Sequence, residues 1–471
     1  MYLIGIGGTG LSAIARVLLE SGYQVSGSDR VLSPMAEALR AKGVHISIGH
    51  RAENVKGAQV VVRSSAIPDD NVEVQAAREQ GIPVLKRSEF LSSLMEGYFR
   101  IAVAGTHGKT TTTAMIVWML TALGQDPTFI AGGVLTNLQT NAHAGKGRAF
   151  VIEADEYDHM FLGLKPQLAV VTNIEHDHPD CYPTPEDFFK AFNEFATQVG
   201  SDGTLLVCTN DRGAGRLSRL ANGRGQIVLS YSIREANQES SNPPADYMAD
   251  SLNPNQVGGV SFDAHYTMAG RKFELHPAVS LRIPGRHNVQ NALAALAVAH
   301  QMQLSVEEAG RALSAFTGTG RRFEVRGQIN GISVIDDYAH HPTEIRATLS
   351  AARMSYPKSK LWVVWQPHTY SRTRLLFNDF VTAFEQADHV VVTEIYAARE
   401  APPEDGFSSR QVVAAMNYTQ AKFIPDLTQV AIYLVDALSP GDVLLVLSAG
   451  DADQVSTSVL ALLKERSKKS D

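Results

Sequence analysis

The chain has 471 residues, of which 44% are hydrophobic and 19% charged, and its formal net charge at pH 7 is −7. This length allows two to four domains with sizeable cores, and the negative balance argues against a nucleic acid as the main partner. Two cysteines outside any metal-binding spacing, and no apolar run of 18 residues, indicate neither a disulfide framework nor a membrane-inserted segment, so we expect a cytoplasmic protein without a signal peptide.

Residues 1–95 alternate short apolar strands with helical stretches. This alternation predicts a parallel sheet with helices on both faces. Because the first strand begins at Leu3, we expect a few further residues before it in the natural chain. The expected strands are 3–6, 24–27, 45–48, 59–62 and 83–85.

The first strand runs into a glycine-rich turn that predicts a phosphate-binding loop. Gly5-x-Gly7-x-x-Gly10 leads into an apolar helix expected over 11–21. Asp29 follows the second strand, where an acid can bind a ribose hydroxyl. A nicotinamide cofactor, a flavin and a UDP-sugar would each fit this pattern.

The next segment, 96–322, begins with the most informative stretch of the chain. A strand over 101–104 precedes Gly105-Thr106-His107-Gly108-Lys109-Thr110, in which small residues let backbone N–H groups point at a polyphosphate. Lys109 can reach the β- and γ-phosphates, and the Thr110 hydroxyl can bind Mg²⁺. The usual loop has glycine where this chain has Val103, but Gly-Lys-Thr between a strand and a helix favours nucleotide binding. The apolar helix is expected over 114–123.

Two clusters of acids and histidines follow the next strands, which are expected over 149–152 and 168–172. The clusters are EADEYD at 153–158 and NIEHDH at 173–178. Mg²⁺ prefers oxygen ligands, so two such clusters after a phosphate loop indicate a Mg²⁺–nucleotide site. Helix capping and surface charge would explain one cluster alone.

The rest of this segment mixes strands with polar stretches. Strands are expected over 204–207, 260–262 and 272–275, the last two as a hairpin, and the polar stretch 237–256 is expected to be a loop. Asn288 and Asn291 share one face at the start of a helix expected over 289–301, where an amide suits the edge of adenine or caps the helix. Arg322 can bind phosphate or form a salt bridge between domains.

Residues 323–471 start the strand–helix alternation a third time. Strands are expected over 333–335, 360–365, 389–393, 422–424 and 443–447. Four of them run into polar loops, which a parallel sheet brings to one edge, where ligands bind. Loops that only connect elements at the solvent-exposed surface are usually shorter and less aromatic than these. The four loops therefore indicate ligand contacts.

The motifs GIGGTG, AGTHGKTTTT, EADEYD, NIEHDH, PGRHNVQNALAA, GRRFEV, DDYAHHPTEI and QPHTYSRT occur here in the order in which Mur ligases have them. Together they resemble that family over residues 3 to about 453. The resemblance implies an α/β protein of three domains: a Rossmann-like UDP-sugar domain (1–95), a P-loop ATPase domain (96–322) and a Rossmann-like domain for the amino acid (323–471).

The resemblance also implies a reaction, closest to that of the L-alanine-adding branch. ATP, with Mg²⁺, phosphorylates the lactyl carboxylate of UDP-N-acetylmuramate, and the amine of L-alanine attacks the acyl phosphate. The product is a peptidoglycan precursor. The implied partners are these small molecules, and we expect a monomer or a weak homodimer.

Matched position by position, the family implies a set of site residues. The catalytic groups would be Lys109, Glu153, His178, His341 and Arg372, and the metal ligands would be Thr110, Glu153 and His178. The nucleotide would contact Gly105, Thr106, His107, Gly108, Lys109, Thr110, Thr111, His287, Asn288, Asn291, Arg322 and Asp337. The substrates would contact Gly7, Gly8, Thr9, Gly10, Asp29, Ser64, Ser65, Arg374 and Arg399.

Three other interpretations compete with this one. Tyr157 resembles the branch that recycles a murein tripeptide on the same donor, whereas QPHTYSRT and the compact C-terminal domain resemble the L-alanine branch. A nicotinamide-dependent oxidoreductase would use GIGGTG and Asp29 but leaves Lys109 and Glu153 unexplained. A binding paralogue without activity is disfavoured because Lys109, Thr110, Glu153 and His178 are all present.

Overall fold

The computed structural model describes residues 1–234, 244–268, 270–416 and 420–470. Its strands form three sheets, and each sheet takes its strands from one continuous part of the chain. The α/β fold class with three domains is therefore confirmed, while the boundaries after 95 and 322 stay predictions. No helix in the described ranges has the length and apolarity that a bilayer crossing requires.

The N-terminal sheet is built from five short strands that are all parallel. Its strands are β1 (Tyr2–Ile4), β2 (Ser26–Asp29), β3 (His45–Ile48), β4 (Val61–Arg63) and β5 (Val84–Lys86). Its helices are α1 (Thr9–Glu20), α2 (Pro34–Ala41), α3 (Val72–Glu79) and α4 (Arg87–Leu94), with a 3₁₀ turn over Ala52–Val55. The order β3-β2-β1-β4-β5 puts β1 in the centre. Leu3 packs with α1 on one face, and Tyr2 and Ile4 pack with α3 on the other, as the alternation predicts.

The middle sheet has eleven strands. They are β6 (Phe99–Ala104), β7 (Thr128–Leu135), β8 (Thr140–His143), β9 (Ala149–Glu153), β10 (Leu168–Val171), β11 (Thr204–Cys208), β12 (Ile227–Ile233), β13 (Tyr247–Pro254), β14 (Val260–Met268), β15 (Arg271–Glu274) and β16 (Val279–Ser280). The helices are α5 (Lys109–Ala122), α6 (Pro185–Thr197), α7 (Arg212–Gly223), α8 (Arg286–Gln301) and α9 (Val306–Leu313), and Tyr157–Gly163 is a kinked 3₁₀ segment. The order is β15-β14-β13-β12-β11-β10-β6-β9-β7-β8, with β16 on β14.

The C-terminal sheet has six strands. They are β17 (Glu324–Ile329), β18 (Ile332–Asp337), β19 (Leu361–Gln366), β20 (His389–Val392), β21 (Ala421–Phe423) and β22 (Val443–Ser448). The helices are α10 (Pro342–Ser355), α11 (Tyr370–Leu375), α12 (Phe377–Val381), α13 (Ser409–Ala415), α14 (Leu427–Ala437) and α15 (Asp453–Ser470). The order is β17-β18-β22-β19-β20-β21, in which β17 is antiparallel to β18 and the other neighbouring strands are parallel.

The order of the middle strands positions the phosphate loop between the two acidic clusters. Strand β6 lies between β9 and β10 and is parallel to both, so all three end at the same edge. Val103 pairs with Glu153, and Ala104 pairs with Val171 just before the second cluster. The loop after β6 therefore opens between EADEYD on one side and NIEHDH on the other.

Two local predictions were wrong. Helix α5 begins at Lys109 and includes the four threonines, which have low helix propensity but are buried here, so packing outweighs propensity. In the stretch expected to be a loop, Tyr247–Pro254 forms β13, because its buried half (Tyr247, Met248 and Ala249) packs in the sheet. Residues 237–243 of that stretch lie outside the described residues.

Buried side chains tie α5 to α8. The Thr112 hydroxyl donates to Asn291 Oδ1 over 2.9 Å, and Asn291 Nδ2 donates to Asn288 Oδ1 over 3.1 Å. All three side chains are almost fully buried. We predict that Asn291→Ala lowers the free energy of unfolding by about 1–3 kcal/mol, because it leaves two buried polar groups without a partner.

Chemical denaturation followed by circular dichroism measures this loss. Thr113→Val is a matched control, since the neighbouring Thr113 hydroxyl is buried without a hydrogen-bond partner, and its removal should leave stability unchanged or raise it. Equal stability of Asn291→Ala and the parent protein would contradict the prediction.

Candidate active site

The phosphate loop has the backbone geometry of an anion site. Gly105 and Gly108 have φ of +141° and +81°, and a Cβ on Gly105 would lie 1.9 Å from Thr172 Oγ1. Gly108 is the N-cap of α5 and, without a side chain, it leaves the first N–H groups of the helix uncapped. These N–H groups and the helix dipole favour a negatively charged ligand at the loop.

Lys109 lies inside this loop and is paired with Glu156, a residue of EADEYD to which the sequence analysis gave no individual role. Its Nζ donates to the carbonyl oxygens of Gly105 and Thr106 and lies 2.8 Å from Glu156 Oε2. Burial alone would lower the pKa of Lys109, but the Glu156 carboxylate outweighs burial and raises it. The lysine is therefore a permanent cation that shares a buried ion pair.

Thr110 and Glu153, two of the three expected metal ligands, are in direct contact. The Thr110 hydroxyl donates to Glu153 Oε1 over 2.9 Å, and the Gly132 N–H donates to Glu153 Oε2 over 2.7 Å. Burial raises the pKa of Glu153. The hydroxyl in the first turn of α5 and the carboxylate at the end of β9 are hard oxygen donors of the kind that Mg²⁺ prefers, so this pair fits the expected metal.

His178 lies beside Glu156, the carboxylate that is paired with Lys109. Its Nε2 is 3.5 Å from Glu156 Oε1 and 3.8 Å from Asp177 Oδ2. Burial opposes a proton on His178, but Glu156 and Asp177 raise its pKa. The backbone at His178 has φ of +55°, and its N–H donates to Asp177 Oδ1 over 2.7 Å. Asp177 thus shapes the turn that carries His178.

A cleft of about 260 Å³ lies between the middle and C-terminal sheets. Of the expected nucleotide residues it is lined by His107, Gly108, Thr111, His287, Asn288, Asn291, Arg322 and Asp337. Gly105, Thr106, Lys109 and Thr110 lie in the adjoining loop and are not part of its lining. Three further residues that line the cleft were not indicated by the sequence. Asn210 and Asp211 follow β11, and Tyr231 lies in β12.

The amides expected at adenine are already engaged. Asn288 Nδ2 donates to the Pro284 carbonyl over 2.6 Å, and Asn288 Oδ1 accepts from Asn291. The capping interpretation of Asn288 was wrong, because α8 begins at Arg286 with Gly285 as its N-cap, so Asn288 lies within the first turn. Both amides line the cleft, and the adenine interpretation stays a prediction. Burial lowers the pKa of the neighbouring His287 to about 4, so this wall of the cleft is uncharged at neutral pH.

The C-terminal domain closes one side of the site with ionic contacts. His107 Nε2 lies 3.0 Å from Glu175 Oε2, and its Nδ1 lies 3.3 Å from Glu344 Oε1 on α10. The His341 ring packs against His107 with 4.6 Å between centroids, and burial lowers the pKa of His341 to about 4. His107, Glu175 and His341 are also the only three His, Cys, Asp or Glu side chains in the described ranges whose ligand atoms all lie within 4.8 Å of one another.

The three C-terminal arginines are in different surroundings. Arg372 is 4% exposed, and its Nε donates to Asp177 Oδ1 over 2.8 Å. Arg374 is exposed and pairs with Asp405 at 2.8 Å. The Arg399 guanidinium lies 5.0 Å from the centre of the Tyr157 ring and, among the described residues, has no carboxylate within 4.0 Å.

The N-terminal glycine loop is compact and open to solvent at its tip. Gly7 N–H donates to Asp29 Oδ2 over 2.8 Å, and Gly8 and Thr9 are exposed at the start of α1. Ser64 follows β4 beside the loop, and Ser65 is exposed. A Cβ on Gly10 would meet Arg87 Nη1 at 1.8 Å, so Gly10 leaves room for this guanidinium.

Arg87 is a further residue that the sequence analysis did not identify. Its Nη2 lies 3.1 Å from Asp155 Oδ2 in EADEYD, so it connects the N-terminal loop with the phosphate-loop region. Arg87 opens α4 and belongs to no motif, which is why pattern analysis passed over it. Glu156, Asp177 and Glu344, in contrast, lie inside quoted motifs, and only their neighbours drew attention.

An open phosphate loop, a buried lysine, oxygen donors for a metal and a cleft shared by two domains define a nucleotide-dependent enzyme that works between its domains. Three family models match the chain in succession: the Mur ligase family catalytic domain over 1–99, the Mur ligase middle domain over 103–299, and the Mur ligase glutamate ligase domain over 321–450. The chain belongs to the Mur ligase family.

Individual relatives agree with this over the whole chain. A UDP-N-acetylmuramate–L-alanine ligase of Geobacter sp. (strain M21) is 43% identical over 98% of this chain and 97% of its own length. The solved UDP-N-acetylmuramate–alanine ligase of Thermotoga maritima is 28% identical and superimposes with a TM-score of 0.78, covering 100% of this chain and 99% of its own. A murein peptide ligase from Psychrobacter arcticus is 26% identical, with a TM-score of 0.71 and 98% coverage of both chains.

The contact between His107 and two carboxylates predicts a pH-dependent stability. Burial opposes the charge on His107, but Glu175 and Glu344 raise its pKa to about 9. Because this is above the value of about 6.5 for an unfolded chain, the stabilisation is complete below pH 6.5 and is lost as the pH rises through about 9. We therefore expect the melting temperature of the parent protein to exceed that of His107→Gln at pH 6, and the difference to shrink by pH 10.

Differential scanning fluorimetry of both proteins across this range measures the effect. A difference that stays constant, or grows, between pH 6 and pH 10 would show that His107 carries no extra proton in the folded protein.

Proposed function

We propose that this enzyme joins L-alanine to the lactyl carboxylate of UDP-N-acetylmuramate in an ATP-dependent reaction of peptidoglycan precursor synthesis. The observation that carries this proposal is the 43% identity, over nearly the whole chain, to an L-alanine ligase of that name. Because the reaction consumes ATP, we expect it to take place in the cytoplasm.

The first step joins two anions. A carboxylate oxygen of the donor attacks the γ-phosphorus, the bond to the β-phosphate oxygen breaks, and ADP leaves an acyl phosphate behind. Lys109 and the uncapped start of α5 supply positive charge where the transferred group would lie. Thr110, Glu153 and His178 are the residues that would hold Mg²⁺, which when bound offsets the charge on the phosphates.

The second step needs a dry site. The L-alanine nitrogen attacks the acyl carbon, phosphate leaves, and the nitrogen loses a proton as the amide forms. Water would hydrolyse the acyl phosphate, so the site must be closed before the amine attacks. Contacts from the C-terminal domain to the edges of the phosphate loop, such as His107 with Glu344 and Asp177 with Arg372, support a role in this closure.

The donor has a separate binding region. The N-terminal loop offers the Thr9 N–H and the positive end of the helix dipole at the uncapped start of α1, which suits a diphosphate. Arg87 lies between this loop and Asp155, where it can pair with a phosphate of a donor that spans both domains. This arrangement favours a UDP-sugar over a nicotinamide cofactor, which has no use for the second phosphate loop.

The direct test is ADP release by the purified protein. We expect release that requires both UDP-N-acetylmuramate and L-alanine, and a drop of about a thousandfold in Lys109→Ala, which loses one contact to the transferring group. Faster turnover with the murein tripeptide than with L-alanine would assign the enzyme to the recycling branch. NADH binding without UDP-N-acetylmuramate binding would overturn the ligase proposal.

The carboxylate of the acceptor, L-alanine, needs a cationic partner. Of Arg372, Arg374 and Arg399, the surroundings favour Arg399 for this role. Its guanidinium lies over Tyr157, beside His178, without a carboxylate partner in the described part of the chain. We predict that Arg399→Ala raises the KM for L-alanine at least about tenfold, the loss of one charge-assisted hydrogen bond, with little change in the KM for ATP.

Arg374→Ala is the matched control, because Arg374 already pairs with exposed Asp405. Steady-state kinetics on both variants, with each substrate varied in turn, separates the two. Equal KM values for L-alanine in the two variants would remove Arg399 from the acceptor site.

A further inference from the structure

Glu156 is the most deeply buried carboxylate of the site. The residue is 1% exposed, and Lys109 Nζ lies 2.9 Å from its Oε1 and 2.8 Å from its Oε2. Because the Lys109 ammonium contacts both of its oxygens, Glu156 is the anionic half of a buried ion pair. None of the roles assigned above uses it.

Lys109, the ion-pair partner of Glu156, has a second role in the proposed reaction. In the proposed reaction Lys109 faces the phosphates of ATP, yet here its ammonium points to Glu156 and to the Gly105 and Thr106 carbonyls. If the lysine turns to a phosphate, the Glu156 charge remains in a buried position without its cation. An uncompensated buried charge costs several kcal/mol, so another cation must take the place of the ammonium.

The neighbouring groups indicate which cation this is. Glu156 Oε1, which also accepts from Lys109, lies 3.5 Å from His178 Nε2. Thr110 and Glu153, which contact each other, lie at the same edge of the sheet. The Glu156 carboxylate and the His178 imidazole are close enough to bind the same divalent ion, each with one donor atom. A protonated His178 alone would balance the charge but would bind no additional ligand.

We infer that Glu156, together with His178, binds a divalent cation once nucleotide is present, and that the Lys109 ammonium occupies that position in the nucleotide-free protein. This inference rests on the proposed ATP-dependent function and adds a ligand to its metal site. The lysine and the metal exchange places, so phosphate binding and metal binding become coupled.

Binding of Mn²⁺, followed by the electron paramagnetic resonance signal of the free ion, tests this without turnover. The variant is Glu156→Gln, and the matched control is Asp158→Asn, an equal charge loss at an exposed position of the same segment. With the β,γ-imido analogue of ATP bound, we expect Glu156→Gln to weaken Mn²⁺ binding at least about tenfold, and Asp158→Asn to leave it unchanged.

A second measurement separates a ligand from a merely structural residue. In EDTA, calorimetry with the same analogue should show tighter binding to Glu156→Gln than to the parent protein, because Lys109 is released from its partner. Weaker binding of both Mn²⁺ and metal-free nucleotide would mean a structural role, and unchanged Mn²⁺ binding would exclude Glu156 as a ligand. Either result overturns the inference.

If Glu156→Gln does not fold, the Lys109→Met variant provides an independent test. Without nucleotide, this variant should bind Mn²⁺ more tightly than the parent protein, since the competing ammonium is gone; equal or weaker binding overturns the inference. These measurements use neither UDP-N-acetylmuramate nor L-alanine. Failure of the ligase function would show in ADP release, and failure of this inference would show in Mn²⁺ binding.

Discussion

The buried ion pair between Lys109 and Glu156 is the interaction around which the candidate active site is organised. It exists because β6 lies between β9 and β10, so the phosphate loop opens beside the acidic segment after β9. The pair keeps a cation at the loop while its two carbonyl contacts hold the lysine in place. Glu153 and His178 both interact electrostatically with this pair, and Thr110 donates a hydrogen bond to Glu153.

The position of the phosphate loop at the edge of the middle sheet also explains why the candidate site needs more than one domain. The phosphate loop that we propose binds ATP is complete in the middle domain, but in the proposed reaction the acyl phosphate must be shielded from water. The C-terminal domain contributes buried contacts at two points: Glu344 reaches His107, and Arg372 reaches Asp177. On the opposite side, Arg87 links the N-terminal loop with Asp155. Each neighbouring domain therefore contacts a segment that flanks the phosphate loop.

Several contacts in the site are between buried groups of opposite charge. Arg372 and Asp177 are both about 5% exposed at the side chain, and their pairing keeps the pKa of Asp177 well below its usual range. Such pairs are weak evidence for stability, because desolvation offsets their attraction. Their value here is positional, since Asp177 also accepts the N–H of His178 and so determines where that imidazole lies.

Much of the fold and of the site could be predicted from local patterns. The glycine turns, the Gly-Lys-Thr loop, the two acidic clusters and the alternation of strands with helices all depend on residues close together in sequence. Predictions failed where packing outweighed composition: the threonines 110–113 lie within a helix, and Tyr247–Pro254 is a strand despite its polar neighbours. The arginines show the limit most clearly, because Arg372, Arg374 and Arg399 look alike in sequence but are respectively buried on Asp177, paired at the surface and placed over Tyr157.

The sequence by itself determined the class of chemistry, since a phosphate loop and its acids are short motifs whose function follows from residue type and spacing. The three-domain α/β plan follows from the same local patterns. Only the tertiary structure decided which charges face each other: that Glu156 holds Lys109, that Glu344 reaches His107, and that Arg87 bridges two domains. The physical reason is that each of these pairs joins different secondary-structure elements, and which partner a buried charge meets depends on how those elements pack.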